Sequence, residues 1–307
     1  MLALQKIHAR AGVALTQTTE PGTPAPGELL IKVAATGICG TDLHLDHWAE
    51  GFRFIAPLLP VTLGHEFTGE VIAIGGEAAG FTVGDRVVVQ PALSCGACAC
   101  CAAGRHHDCL NRVGLGMQVS GGFASHVRVP ANHCLPVPPA IDEELGALIE
   151  PLTTAAHAVA LGEVGPGARV VVFGPGPIDQ GAAIFARKAG AAEVIVVGHG
   201  DTARFATLRE LGFDTLIDLA VPDGPSRLTA VAGAGFDVVL EASSAPAVIN
   251  IGLASLRPYG MFVLAGMPER RADLDVMRWT RKTGQVAKAT PKNERIASSC
   301  LTTNFIV

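Results

Sequence analysis

VVVFGPGPIDQG, residues 170–181, joins an apolar β-like run to a helix-length segment through a glycine turn. Gly174 permits the tight turn, and Gly176 permits close backbone approach to a pyrophosphate at the helix N-terminus. A strand before the turn and a helix after it are the context a dinucleotide turn requires. Pro177 and Ile178, at the helix start, complete this candidate cofactor contact. The third glycine of G-x-G-x-x-G would fall on residue 179, which is Asp179, and Gly181 comes two residues late. That glycine ordinarily allows close helix–strand packing. An acid there suits the helix dipole but repels a diphosphate, so weakened cofactor affinity is expected.

The same rhythm continues downstream. EVIVVG (193–198) is followed by TARFATLRELG, and TLIDL, FDVVLEA (236–242) and MFVLAG (261–266) extend the series. Strands alternating with helices of this length predict right-handed βαβ units on a parallel sheet. EVIVVG ends in Gly198, where an NAD site usually carries an acid for the ribose hydroxyls. Asp201 could substitute from the loop, whereas Arg204 and His199 could meet a 2′-phosphate. No arginine directly follows the strand, so NAD is favoured, with NADP as the alternative.

Upstream the texture differs. LLIKVAATGI (29–38), EFTGEVIAIG (66–75), DRVVVQP (85–91) and ASHVRVP (124–130) are short β-like runs between closely spaced turn signals. They predict an irregular antiparallel barrel. Within this half lies CGACACCAAGRHHDC (95–109), with Cys95, Cys98, Cys101 and Cys109 spaced C-x2-C-x2-C-x7-C. Four thiolates suit tetrahedral zinc, fill its shell and predict a structural site. Cys100 is a fifth thiol in the loop and could compete with Cys101. His106 and His107 are alternative ligands or exposed loop residues.

Composition sets the bounds. Of 307 residues 49% are hydrophobic, enough for one large domain or two. Thirty-six glycines and only 5% aromatics suit parallel sheet and tight turns. A net charge of −5 argues against nucleic acid as a partner. A zinc-ribbon nucleic-acid module would need a basic surface, and the cysteine loop offers only Arg105 and Arg112. Eight cysteines, most in metal-like patterns, fit a reducing cytoplasm. No signal peptide or membrane span is expected.

Three further motifs carry chemistry. Cys39 lies in GICGTDLH (37–44), His65 and Glu66 lie in GHE (64–66), and Glu150 precedes Pro151 at the change of texture. Each alone is unremarkable. Together they are a mixed sulfur, nitrogen and oxygen set, which zinc accepts while keeping one position open.

GICGTDLH, GHEFTGEVIAIG, FTVGDRV, CGACACC with its fourth cysteine, EPL (150–152) and GPGPI together resemble the zinc-containing medium-chain alcohol dehydrogenases. Within that family they look most like the threonine, sorbitol and other polyol dehydrogenases. The resemblance implies an α/β protein: an irregular GroES-like β-barrel catalytic domain over 1–153 and a Rossmann doubly wound parallel-sheet domain over 154–281. From Val276 to Val307 six basic residues, one acid and no sustained period predict a frayed basic tail, with 282–307 set apart as atypical, disordered or truncated, and the chain stops before the family's returning segment. It implies that Cys39, His65 and Glu66 ligate a catalytic zinc, with Glu150 ligating in exchange or holding its water. It implies that Cys95, Cys98, Cys101 and Cys109 hold a structural zinc. Thr41 and His44 match the positions that relay the substrate proton to solvent. The implied reaction moves hydride between a secondary alcohol, polyol or amino alcohol and NAD, in a homodimer or homotetramer. Asp179, Gly198 and the short tail leave the alternative of a catalytically impaired zinc- and nucleotide-binding homologue.

Overall fold

The protein is described by a computed structural model over residues 1–76, 80–268 and 271–288. The described residues divide into two compact units, Met1–Glu150 and those from Pro151 to Lys288.

The first unit is built on antiparallel sheets. Its strands are Leu2–Lys6 (β1), Ala14–Gln17 (β2), Glu28–Gly37 (β3), Val61–Thr62 (β4) and Glu66–Ile74 (β5). They continue with Arg86–Val89 (β6), Ala92–Leu93 (β7), Val113–Gly114 (β8), His126–Pro130 (β9) and Cys134–Pro136 (β10). A five-stranded sheet runs β10-β6-β5-β3-β9, beside a three-stranded β2-β1-β4 sheet and the β7-β8 pair. The β3–β5 register slips between Leu30 and Ile31 and again between Val33 and Ala35. Such bulges curl the strand pair, which explains the irregularity of the barrel. Leu29, Ile31, Phe67, Val71, Val87, Val127 and Val129 fill its core. Each fully buried side chain of this kind contributes about 1.5–3 kcal/mol.

Gly40–His47 (α1) follows β3 directly. It is held from outside by Lys6, whose buried ammonium donates to the carbonyls of Arg10, Gly12 and Asp46 at 2.6, 3.0 and 3.1 Å. The same ammonium lies 5.3 Å from the Trp48 ring centre. The short helix Ala99–Ala102 (α2) lies in the cysteine loop, and Glu143–Leu161 (α3) carries the chain out of the first unit.

In the second unit the strands are Arg169–Phe173 (β11), Glu193–Gly198 (β12), Leu216–Asp218 (β13), Phe236–Glu241 (β14), Leu256–Leu264 (β15) and Thr283–Lys288 (β16). Between them come Pro177–Lys188 (α4), Thr202–Glu210 (α5), Gly224–Ala232 (α6), Pro246–Ser255 (α7) and Val276–Lys282 (α8). All neighbouring strands pair parallel, in the order β13-β12-β11-β14-β15-β16. Numbered within the unit this is 3-2-1-4-5-6, the doubly wound order that reverses between its first and fourth strands. Val170, Val171 and Val172 of β11 are wholly buried, as a central parallel strand covered on both faces requires. Pro177 opens α4, where its missing N–H has no partner to lose.

The expectation of an unstructured tail from Val276 fails over its first part. Residues 276–282 are helical, and Thr283–Lys288 forms the edge strand beside β15. The strand TGQVAK has no apolar run, but an edge strand is completed by backbone pairing with one neighbour, so it leaves little periodicity to read. The rest of the expected tail, 289–307, lies outside the described residues.

Candidate metal centres and cofactor turn

β3 ends at Gly37 opposite Glu66, the first residue of β5. That register brings the GICGTD and GHE motifs side by side. Cys39, His65 and Glu66 present ligand atoms that all lie within 4.8 Å of one another. Gly37 matters here for space. A Cβ on it would come within 2.5 Å of Glu66 Oε2.

Asp42 fastens the two loops. Its carboxylate accepts the Cys39 N–H at 2.9 Å and the Gly64 N–H at 3.2 Å. Sequence reading passed over this residue. The signal for it was its place three residues after the N-cap Cys39, where an acid can reach back to the cap N–H. Burial pushes the Asp42 carboxyl up, while His65 and the two N–H donors pull it down. Burial pushes the His65 imidazole down against Asp42's charge, which favours the neutral form a metal needs.

Burial and then Glu66's charge push the Cys39 thiol up to about 12, against hydrogen bonds from the Thr41 backbone and side chain. Burial raises Glu66 as well. Burial, followed by Glu66's charge, takes Glu150 up to about 8. Burial and the repulsion between neighbouring charges oppose their ionising together. His65 Nδ1 is buried with no hydrogen-bond partner. An orphaned imidazole nitrogen beside a thiol and two carboxyls whose ionisation burial opposes fits a divalent cation, which would satisfy the nitrogen and favour the anionic forms. Glu150 is near enough for Glu66 to act on it but stands outside the three-residue cluster.

Thr41 directs its N–H and hydroxyl at Cys39. His44 follows one helical turn later on the same face of α1 and stacks on Phe52 at 5.2 Å between ring centres.

The second cluster joins Cys95, Cys98, Cys101 and Cys109. Cys98 Sγ lies 3.5 Å from Cys101 Sγ and 3.9 Å from Cys109 Sγ. A tetrahedron with Zn–S bonds of about 2.3 Å has edges of about 3.8 Å, so these separations fit zinc. The backbone N–H groups of Cys101 and Leu110 lower the Cys98 thiol to about 6. All the described cysteines are free thiols. Cys100, the competitor in sequence, points elsewhere, with Arg105 3.9 Å from its sulfur. His106 and His107 belong to neither cluster.

At the glycine turn, Gly174 has φ +125°, open to glycine but strained for other residues. The backbone follows the path a diphosphate seat needs, from β11 through Gly174 and Gly176 into α4 with Pro177 and Ile178. Asp179 does not face outwards. It is only 3% exposed, and its carboxylate accepts the Gly176 N–H at 2.9 Å from beneath the turn. At the end of β12, Asp201 caps α5 through the Arg204 N–H and pairs with the Arg204 guanidinium at 3.0 Å.

A doubly wound sheet with a dinucleotide turn, an antiparallel barrel and two zinc-type ligand clusters define a zinc-binding dehydrogenase. Residues 25–139 match the family model of the alcohol dehydrogenase GroES-like domain, and residues 177–295 match that of zinc-binding dehydrogenases. L-threonine 3-dehydrogenase of Escherichia fergusonii is 35% identical over 282 residues, covering 92% of this chain and 81% of that one. The structure of 2R,3R-butanediol dehydrogenase from Bacillus subtilis superposes with a TM-score of 0.82 at 28% identity, covering 97% of this chain and 87% of that chain. A zinc-binding dehydrogenase from Sinorhizobium meliloti bound to NADP gives 0.80 at 29% identity, covering 98% and 89%. The chain belongs to the zinc-containing medium-chain alcohol dehydrogenase family, in its threonine and polyol dehydrogenase branch. Its two parts are the GroES-like and Rossmann-like folds of that family. No helix among the described residues is long and apolar enough to cross a membrane.

Proposed function

We propose that the chain oxidises a secondary alcohol of the polyol or amino-alcohol class, with a nicotinamide dinucleotide as hydride acceptor. The observation that carries this reading is the convergence of Cys39, His65 and Glu66, with Asp42 holding both of their loops. Cys39, His65 and Glu66 would hold a zinc ion, and Glu150 stands close enough to act on Glu66. Zinc supplies Lewis acidity towards an alcohol oxygen, and the nicotinamide supplies the hydride acceptor.

The chain's own residues do the rest. Asp42 keeps the Cys39 and Gly64 backbones together, and its charge acts on the His65 imidazole. Thr41's hydroxyl stands beside Cys39 and would accept the alcohol proton as it gives its own proton on towards His44. His44, one turn along α1, passes that proton outwards. Cys95, Cys98, Cys101 and Cys109 would hold a second, structural zinc that braces their loop. An impaired homologue would have no need of the Cys39, His65 and Glu66 cluster.

Asp201 and Arg204 neutralise each other at the end of β12, so neither alone selects the cofactor. The test is a panel of diols, polyols and β-hydroxy amino acids with NAD and with NADP, read by nicotinamide reduction. Turnover on at least one secondary alcohol is expected, with kcat/KM ranking the cofactors. Two zinc ions per chain with no turnover on any alcohol would overturn the reading.

A further inference from the structure

The parallel sheet carries a second pair of buried acids that the chemistry above does not use. β11 and β14 are neighbours, and Phe173 pairs with Glu241 at their C-terminal ends. This is where the strand order reverses and where ligands of such sheets bind. Asp179 rises from the first turn of α4 into the same place. The nearest atoms to a Cβ built on Gly174 are its two carboxylate oxygens, both at 2.4 Å.

Asp179 and Glu241 are 3% and 1% exposed. Asp179 uses one oxygen on the Gly176 N–H, and its Oδ1 has no partner. Glu241 uses Oε1 on the Ser243 hydroxyl at 2.6 Å and the Ser244 N–H at 3.0 Å, and its Oε2 has no partner. A buried carboxylate oxygen without a donor is a costly arrangement, and protonating it removes the charge.

We propose that Asp179 and Glu241 form a proton-binding pair beneath the dinucleotide turn, so that a seating cofactor diphosphate draws one proton into the protein and cofactor affinity falls as pH rises. The proposal rests on the dehydrogenase reading, which supplies the dinucleotide. The proton comes from solvent and settles on the unpartnered oxygen of Asp179 or Glu241. No bond other than that O–H forms or breaks.

The electrostatics have one sign. Burial raises both carboxyls, Asp179 well above the ordinary carboxylate value. Facing Asp179, the Gly176 N–H of α4 opposes this rise, Glu241 of β14 adds to it, and Arg204 of α5 opposes it. Arg204 is already paired with Asp201. Ser243 and Ser244, after β14, stabilise the Glu241 anion in part. A diphosphate on the turn brings further negative charge above this pair in a poorly screened interior. The ionised pair then resists the ligand, and the protonated pair accepts it. A glycine at 179 would remove the nearer charge and restore the fingerprint.

The experiment titrates the full-length protein with NADH by calorimetry, in buffers of different ionisation enthalpy, between about pH 6 and pH 9. The expected result is a buffer-dependent heat equivalent to uptake of up to one proton. The dissociation constant should rise with pH, by at most about tenfold per pH unit. Asp179→Gly should abolish most of this dependence and bind more tightly at the alkaline end, and Asp179→Asn and Glu241→Gln should each weaken it. Equal heats in all buffers with a flat dissociation constant in the unaltered protein would overturn the proposal alone, and this needs no variant to fold. A pH dependence that survives unchanged in the folded variants would overturn it too. No NADH binding by the unaltered protein or by Asp179→Gly would overturn the dehydrogenase reading and the proposal together.

Discussion

Asp42 accepts the backbone N–H of Gly64 at 3.2 Å, across 22 residues of sequence. The same carboxylate takes the N–H of Cys39 at 2.9 Å. One buried side chain therefore sets the spacing between the thiol on one loop and the imidazole on the other. Asp42→Ala should leave the four-cysteine cluster loaded and weaken the Cys39–His65–Glu66 centre about 10–100-fold in zinc affinity or activity, as loss of an outer-shell partner does. Metal analysis across a chelator series checks it; two equally tight zinc ions in the variant would contradict it.

Gly37 leaves room for the Glu66 carboxylate, whose Oε2 would lie 2.5 Å from an added Cβ. That atom ends a flexible side chain, so Gly37→Ala should displace the carboxylate without unfolding the barrel. Thermal unfolding should shift little, while zinc at this centre and alcohol turnover fall together. A large drop in Tm with unchanged metal content would show that Gly37 serves the backbone instead.

Cys101 belongs to the four-sulfur cluster and Cys100 does not. Cys100→Ser should keep full zinc content. Cys101→Ser should lose one zinc per chain and lower Tm, because a structural zinc is bound only by the folded loop. Equal metal loss in both variants would mean that the two thiols exchange.

The buried acids also set a pH dependence of stability. Burial raises the folded-state pKa of Asp179 and Glu241 above the unfolded value. The folded state thus holds protons that the unfolded state has released. Stability should fall as pH rises from the ordinary carboxylate range towards the raised value, by about 1.4 kcal/mol per pH unit for each proton held only by the folded state. Differential scanning of the cofactor-free protein should show this slope and a flatter one for Asp179→Gly. Parallel slopes would contradict it.

Much of this was legible in the sequence. The change from closely spaced β runs to alternating strands and helices marks the two folds, because period and turn chemistry are local properties. The thiol spacing exposes the four-cysteine site for the same reason. Asp42 was not legible, since its role depends on bringing Gly64 next to Cys39 through the β3–β5 pairing. The spacing favours Cys101 while leaving Cys100 as a competitor, and the single turn of α2 buries Cys101 within the sulfur cluster. Asp179 was read as an acid at a helix start, yet its burial under Gly174 follows from packing of α4 on the sheet. The edge strand at Thr283–Lys288 escaped because backbone pairing with β15, rather than its own pattern, defines it.

Nicotinamide reduction by the zinc-loaded protein on the secondary-alcohol panel, measured beside Cys39→Ser and a chelator-treated sample, tests whether the Cys39, His65 and Glu66 centre is catalytic. The expected result is turnover in the loaded protein that Cys39→Ser abolishes and that zinc restores after chelation. Turnover indifferent to both treatments, or none in a protein carrying two zinc ions per chain, would contradict it.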